Sequence, residues 1–508
     1  MPEKDSTTQR PPIVAVVGHI DHGKSTLLDY IRKSKTAEAE AGGITQHLSA
    51  YEALHTTPAG VERRITFLDT PGHAAFEAMR SRGLNAADVA ILVVSAEDGV
   101  KPQTIEAIKL IETAKIPFIV ALTKIDKPAA NIERAKMSLL EHGVYLEGLG
   151  GDIAFVGVSS KTGEGIPELL DLILLAAELE GLSADPTLPG TGLVIEAHMD
   201  QKRGNTATII VKDGSIESGE YIISGESFAP VRIMENYLGK NIKKALPGSP
   251  VRIIGFSSLP DVGAPWQTVE TKKEAETDTN ASRIARISQE KKRTNTVEKP
   301  DDDKVHVILP LVIKTDFAGT GDAVLHELRK LPEDPKLEVR VVGRSVGTIT
   351  ENDVRLVGAS TPAGIIVGFN TKIDNEARQL ADRLGVTIGV FDIIYELTAW
   401  LATELEKRHP RENMEDRTGL AKVLKVFSYQ QGRVVLGGRV EEGTLVDGAQ
   451  VKLMRDDLEV GRGEILSLQA QKVVTKKVEN GKEFGAMIRL SSEPKPGDHI
   501  EAFEVVFK

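Results

Sequence analysis

From Ile13 to about Ala177, short runs of aliphatic and β-branched residues alternate with stretches of helical periodicity. The apolar runs are Ile13–Val17, Ile65–Asp69, Val89–Ser95, Phe118–Thr123 and Ala154–Ser159. Strands of that length separated by helices predict a mostly parallel sheet covered on both faces. A loop of Ser, Pro and Gly over Leu182–Gly192 ends the pattern. Short strands with glycine turns follow at Gly192–Ala197, Thr206–Lys212, Tyr221–Ser224, Val231–Met234 and Val251–Gly255, which predicts a small β-barrel. Thr271–Asp303 is charged and poor in large apolar residues, so it reads as a solvated helix or a linker. Alternation then resumes from Val305 to Gly389 as a βαβ pattern, and Ile393–Lys407 shows helical spacing that stops before Pro410. From Leu420 onward, alternating strands and glycine turns return.

The expected fold class is multidomain, α/β and β. Residues 1–12 are expected to be a disordered N-terminus, followed by an α/β domain over 13–181 and a β-barrel over 190–268. A charged linker or helix is expected over 269–303, an α/β/α domain over 304–391, a connecting helix over 392–410 and a second barrel over 418–508. A chain of 508 residues is long enough for three or four such cores. Its net charge of −11 argues against a simple basic nucleic-acid coat. The absence of cysteine excludes disulfides, Cys-ligated zinc, iron–sulfur clusters and thiol catalysis. No apolar stretch is long enough to span a bilayer and the first residues carry no targeting pattern, so a cytoplasmic location without membrane contact is expected.

The strongest chemical signal is Gly18-His19-Ile20-Asp21-His22-Gly23-Lys24-Ser25, placed between the first apolar strand and the helical stretch Thr26–Arg32. The two glycines let backbone N–H groups wrap a phosphate at a helix N-terminus. Lys24 suits the β/γ-phosphates and the Ser25 hydroxyl suits Mg²⁺. His19 and His22 would make a poor metal pair inside such a loop. Three further pieces follow in the order a guanine-nucleotide switch needs. Thr45, in Gly42-Gly43-Ile44-Thr45, can offer its hydroxyl to Mg²⁺. In Asp69-Thr70-Pro71-Gly72 the Asp can hold the metal and the Gly72 N–H can sense the γ-phosphate. In Thr123-Lys124-Ile125-Asp126 the carboxylate can accept from guanine N1–H and the exocyclic amine, and Ser159-Ser160-Lys161 would complete the base pocket. His73 stands where a switch orients the attacking water, either accepting from it as a neutral ring or stabilising developing charge as a cation.

These residues resemble the bacterial translation initiation factor 2 family. Gly18–Ser25, Ala41–His47, Leu68–Ala75 and Ala96–Lys109 carry the likeness most closely. It continues in Ile313–Thr315, Gly347–Asp353, Gly368-Phe369-Asn370 and Ile393-Ile394-Tyr395, and more loosely in Gly419–Phe427 and Gly497–Ala502. The resemblance implies a P-loop GTPase that uses GTP/GDP and Mg²⁺, with His73 as its catalytic residue. It implies work on both ribosomal subunits as a monomer, with formyl-methionyl initiator tRNA held by the C-terminal barrel and joining of the large subunit promoted.

Two departures from the family pattern stand out. Thr123 replaces the usual Asn of the base-reading motif, so one hydroxyl must brace the phosphate loop in place of an amide. In the last barrel the expected basic–aromatic loop reads Gln469-Ala470-Gln471, and Gly438 replaces a family Cys. The resemblance leaves Arg439, Lys472, Glu483, Phe484 and Gly485 as the tRNA-binding candidates, with Phe484 either stacking on a base or serving as a core ring. The alternative is a GTP-dependent ribosome-binding module whose recognition of initiator tRNA is altered or lost.

Overall fold

The computed structural model describes residues 8–33, 45–294, 307–332, 334, 336–409, 413–430, 432–456, 458–471 and 473–507. In the first domain the chain runs β1 (Ile13–Gly18), α1 (Lys24–Arg32), β2 (Ser49–Thr56), β3 (Glu62–Asp69), α2 (Glu77–Ala86), β4 (Val89–Ser95) and α3 (Pro102–Ala114). It continues with β5 (Phe118–Thr123), α4 (Ile132–Glu141), β6 (Phe155–Gly157) and α5 (Ile166–Leu179). β1 and β4 are buried at every position because helices cover both faces, which is why they read as unbroken aliphatic runs. The sheet order is β2-β3-β1-β4-β5-β6, parallel except for β2. The carboxyl ends of β1, β3 and β5 therefore meet along one edge, where a doubly wound sheet places its ligand.

One expectation needs correction. Thr8–Gln9, expected without order, pairs antiparallel with Ser183–Ala184. Arg10 then reaches Asp88 through two hydrogen bonds of 2.6 and 2.7 Å. The Asp88 side chain is 7% exposed and also accepts from Lys212 (2.8 Å) and the Ile13 N–H (2.9 Å). Burial would raise its pKa, but the Arg10 hydrogen bond and the Lys212 charge hold it below the usual carboxylate range. A buried carboxylate needs such partners, and they tie the first described residues down. Residues 1–7 lie outside the described residues.

The second domain is a seven-stranded antiparallel sheet wrapped about one core that includes Val194, Ile209, Ile253 and Trp266. Its strand near residue 234 begins at Met234 rather than Val231. The charged stretch that follows is helix α6 (Lys272–Thr294) through residue 294; residues 295–306 lie outside the described residues.

The third domain runs β7 (Val307–Thr315), α7 (Ala318–Lys330), β8 (Leu337–Val346), α8 (Glu351–Gly358), β9 (Ile365–Phe369), α9 (Asn375–Leu384), β10 (Thr387–Phe391) and α10 (Ile394–Arg408). Its parallel sheet, in order β8-β7-β9-β10, has α7 and α10 packed on one face and α8 and α9 on the other. The core on the α7/α10 face also takes in Ala75, Phe76 and Met79 of the first domain.

A buried carboxyl joins the second and third domains. Glu196, on the strand Thr191–Asp200, accepts at Oε1 from the Gly319 N–H in the first turn of α7 (3.1 Å) and from the Ala197 N–H (3.1 Å). Burial pushes its pKa up to about 7 from 4.5. A raised acid pKa means that the fold binds this proton more tightly than the unfolded chain does. The stabilisation is complete below about pH 4.5 and is lost as pH rises through about 7. Glu196→Gln, which keeps the neutral shape, is therefore expected to raise thermal stability at pH 8 by up to about 3 kcal/mol and to change little at pH 4.5. Melting curves of both proteins at the two pH values test this, and equal shifts at both would refute it.

The chain divides into two compact units, the second beginning at His409. In the second unit six long strands, Asn413–Gln430, Arg433–Val446, Gln450–Arg455, Leu458–Ala470, Glu483–Leu490 and His499–Phe507, pair antiparallel. The first and second strands also pair with each other, which closes the ring into a barrel.

Candidate functional site

The phosphate-loop sequence forms a tight turn from the end of β1 into α1. Gly23 caps α1 at φ 90°, and Asp21 also holds a left-handed φ of 61°, a conformation that L side chains adopt only under local constraint. Lys24 is 6% exposed, and its Nζ donates to the carbonyls of Gly18 (2.9 Å) and His19 (2.7 Å). Burial lowers its pKa to about 8, with the Asp69 carboxylate opposing the shift. The Ser25 and Thr45 hydroxyl oxygens lie 2.8 Å apart, and Thr26 is exposed in the first turn of α1. Gly42, Gly43 and Ile44 lie outside the described residues.

Gly72 lies against this loop: a Cβ there would come within 2.4 Å of Lys24 Nζ and 3.2 Å of the Ile20 N, so a side chain at this position would displace the Lys24 amine. Asp69 ends β3 and is 7% exposed. Among the described residues no group of three or more His, Cys, Asp or Glu forms a metal cage. Two hydroxyls and a nearby carboxylate are instead the hard-oxygen set that suits Mg²⁺ shared with phosphates. His22 is buried, its Nδ1 accepts from the Ser95 N–H (3.3 Å), and burial lowers its pKa to about 4. His19 and His22 meet edge to face at 4.9 Å rather than as a chelating pair.

The residues expected to read the base converge as well. Thr123, at the end of β5, donates its hydroxyl to the His22 carbonyl at 2.5 Å, so a phosphate-loop brace is present despite the missing Asn. Asp126 Oδ1 accepts from Ser159 Oγ (2.7 Å), and that bond lowers the Asp126 pKa. Ser159 Oγ also accepts from the backbone N–H groups of Lys161 (3.3 Å) and Thr162 (3.2 Å), which ties the two base loops together. Lys124 takes a left-handed φ of 61°; Ser160 is half-buried and Lys161 exposed.

His73 is 6% exposed. Its Nδ1 accepts from the Ala75 N–H (2.9 Å), so the neutral ring carries its proton on Nε2. Burial lowers its pKa to about 4, which keeps the ring neutral near pH 7. In this pose Nε2 carries the proton and Nδ1 is occupied by the Ala75 N–H. The Tyr395 ring, on α10, meets it edge to face at 4.3 Å. In the sequence Tyr395 stands out only within the resembling stretch Ile393-Ile394-Tyr395, without a role, and Arg80 on α2 carries no signal, since an Arg on a surface-type helix reads as an ordinary solvated residue.

In the barrel, Glu483, Phe484 and Gly485 line a cavity of about 520 Å³ together with Leu424, Phe427 and Gln469. Phe484 is 4% exposed and belongs to the barrel core, so its core role prevails over an open stacking ring. A Cβ on Gly438 would come within 2.8 Å of that ring, so glycine at this position makes room for it. The exposed ring at the cavity is Phe427, 62% exposed, with Lys425 Nζ 5.5 Å from its centroid. The family resemblance over Gly419–Phe427 covers this segment without singling out Phe427 as a site. Arg439 does not line the cavity; its Nε donates to the Gly481 carbonyl (3.3 Å). Lys472 lies outside the described residues.

Comparison with known families matches residues 9–178 to the elongation factor Tu GTP-binding domain, 189–268 to elongation factor G domain 2 and 283–401 to translation-initiation factor 2. The chain is 40% identical over 507 residues to translation initiation factor IF-2 of Clostridium novyi, covering 99% of this chain and 73% of that protein. It is 39% identical over 506 residues to translation initiation factor IF-2 of Rubrobacter xylanophilus, covering 99% and 72%. A solved structure of GDP-bound aIF5B from Aeropyrum pernix aligns at 26% identity and a TM-score of 0.47, covering 97% of this chain and 92% of that one.

Proposed function

Since the chain belongs to the translation initiation factor 2 family and is a translational GTPase that acts in initiation, we propose that its nucleotide switch is built from the residues gathered at the sheet edge and that its C-terminal barrel receives initiator tRNA. The observation that carries the first part is the 2.8 Å approach of Ser25 to Thr45, which brings the phosphate loop and the first switch segment to one point. Ser25 and Thr45, with Asp69, would hold Mg²⁺, whose charge neutralises the β/γ-phosphates when it is bound. Lys24 supplies the protein cation there, and the Gly72 N–H reports the γ-phosphate. Asp126 reads the guanine edge, held in place by Ser159.

His73 is the hydrolytic residue of this reading. With Nδ1 bonded to Ala75 and the ring against Tyr395, it rests in a donor pose. Activation on the ribosome consists of turning the ring off Ala75, which frees a nitrogen to orient water. The neutral imidazole needs no prior deprotonation for that step.

For the tRNA, an acceptor end is single-stranded, so stacking and cationic contact are its natural handles. Phe427 with Lys425 offers both at the mouth of the barrel cavity. Phe427→Ala is expected to weaken binding of formyl-methionyl initiator tRNA by about 1–3 kcal/mol with an unchanged melting temperature, because the ring is exposed. Filter binding with formylated and unformylated charged tRNA is the test. Undiminished affinity in the variant removes the ring from the site, and no tRNA binding by the parent protein favours the ribosome-binding module without tRNA recognition.

A further inference from the structure

The largest fully buried side chain among the described residues is an arginine. Arg80 lies on α2, seven residues after His73, and is 1% exposed. Its Nη1 donates to the Pro71 carbonyl (3.0 Å) and to the His73 carbonyl, and its Nη2 pairs with Glu106 on α3. Its Nε is buried without a hydrogen-bond partner. Removing a guanidinium from water is costly, and a packing role alone is better served by an apolar side chain of the same volume. The two carbonyls that accept from Nη1 belong to the residues on either side of Gly72.

A peptide unit is planar and trans, so the Pro71 carbonyl and the Gly72 N–H point in opposite directions from one rigid plate. Holding that carbonyl against α2 turns the Gly72 N–H away from α2, and Gly72 is the residue that abuts Lys24 and the phosphate loop. The His73 carbonyl, held by the same nitrogen, fixes the backbone from which the His73 ring projects. The fork thus sets two things at once: the direction of the γ-phosphate donor and the base of the hydrolytic side chain. A lysine ammonium has no plane to aim its nitrogen at both carbonyls at once, so it cannot hold the two contacts in a fixed geometry.

We propose that Arg80 is a positioning residue for GTP hydrolysis, its guanidinium fixing the Pro71–Gly72 and His73–Ala74 peptide planes and so coupling γ-phosphate recognition to the placement of His73. This rests on the reading of Gly72 as the γ-phosphate donor given above. Glu106 balances the buried charge and sits outside the coupling. GDP, which lacks the γ-phosphate, does not engage it.

The test is fluorescence titration of Arg80→Lys, Arg80→Met and Gly72→Ala with labelled GDP and a labelled non-hydrolysable GTP analogue, alongside melting curves and turnover on ribosomes. In both Arg80 variants the preference for the GTP analogue over GDP is expected to fall about tenfold, the scale of a charge-assisted hydrogen bond, with GDP affinity unchanged. Ribosome-stimulated kcat should fall at least as far, while the ribosome concentration for half-maximal rate stays the same. Equal losses for both nucleotides with a lowered melt would show a packing role and overturn the proposal, as would parental preference and turnover in Arg80→Lys. Gly72→Ala separates the premise from the proposal: if it too leaves the preference intact, the γ-phosphate reading itself has failed. Should the Arg80 variants not fold, the parent protein decides, because the Arg80 side-chain nitrogen resonances must shift between the GDP and GTP-analogue complexes, and resonances that do not move overturn the coupling.

Discussion

Replacing His73 with alanine is expected to lower ribosome-stimulated GTP hydrolysis by about 10²–10⁴-fold, the usual contribution of a positioned proton-transfer or water-orienting side chain. Affinity for GTP should not change, because the ring touches Ala75, Phe76 and Tyr395 rather than the phosphate loop. The two readouts separate the roles at this edge of the sheet. A loss confined to kcat places His73 in the hydrolytic step, whereas a rise in the GTP dissociation constant of similar size would place it in binding. Single-turnover hydrolysis on ribosomes, measured beside nucleotide titration off ribosomes, gives both numbers. The ring is buried against Phe76 and Tyr395, so a melting curve must accompany them; parental turnover in the variant would remove His73 from the mechanism.

The second large effect belongs to Asp126. Its carboxylate is exposed and held by Ser159, and in the proposed bound state it would accept two hydrogen bonds from guanine. Charge-assisted hydrogen bonds contribute about 1.5–3 kcal/mol each, so Asp126→Asn should weaken GTP binding by about 10²-fold or more. The amide instead donates to a carbonyl, and preference should move toward xanthosine triphosphate, which carries one where guanine has its amine. Competition titration with the two triphosphates measures the shift. Unchanged GTP affinity would mean that the base pocket lies elsewhere.

The segments proposed to form the nucleotide site could be picked out along the chain because they are contiguous and stand at strand ends. β4 and β5 begin and end where their apolar runs do, since strands buried on both faces have no polar positions to blur the limits. The Thr123 hydroxyl reaches the phosphate loop as the departure from Asn required. What the chain concealed has physical reasons too. β2 mixes Glu52, His55 and Thr56 with short apolar stretches because it is an edge strand with an exposed side. The order of Thr8–Arg10 depends on Asp88 and Ser183, far along the chain, and local pattern does not report such contacts. Phe427 and Phe484 occupy similar strand contexts, and only the closed barrel decides which ring faces inward. Arg80 is hidden most deeply, because an arginine near the start of a mixed helix reads as solvated until its partners are seen to be main-chain carbonyls.

The most direct measurement is GTP turnover by the parent protein with no ribosomal subunit, with either subunit alone, and with both together. Resting His73 is held in a buried donor pose by Ala75 and Tyr395, so turnover by the protein alone should be slow and should rise by orders of magnitude only when both subunits are present. Turnover that is equally fast without ribosomes would contradict a switch that waits for the assembled particle.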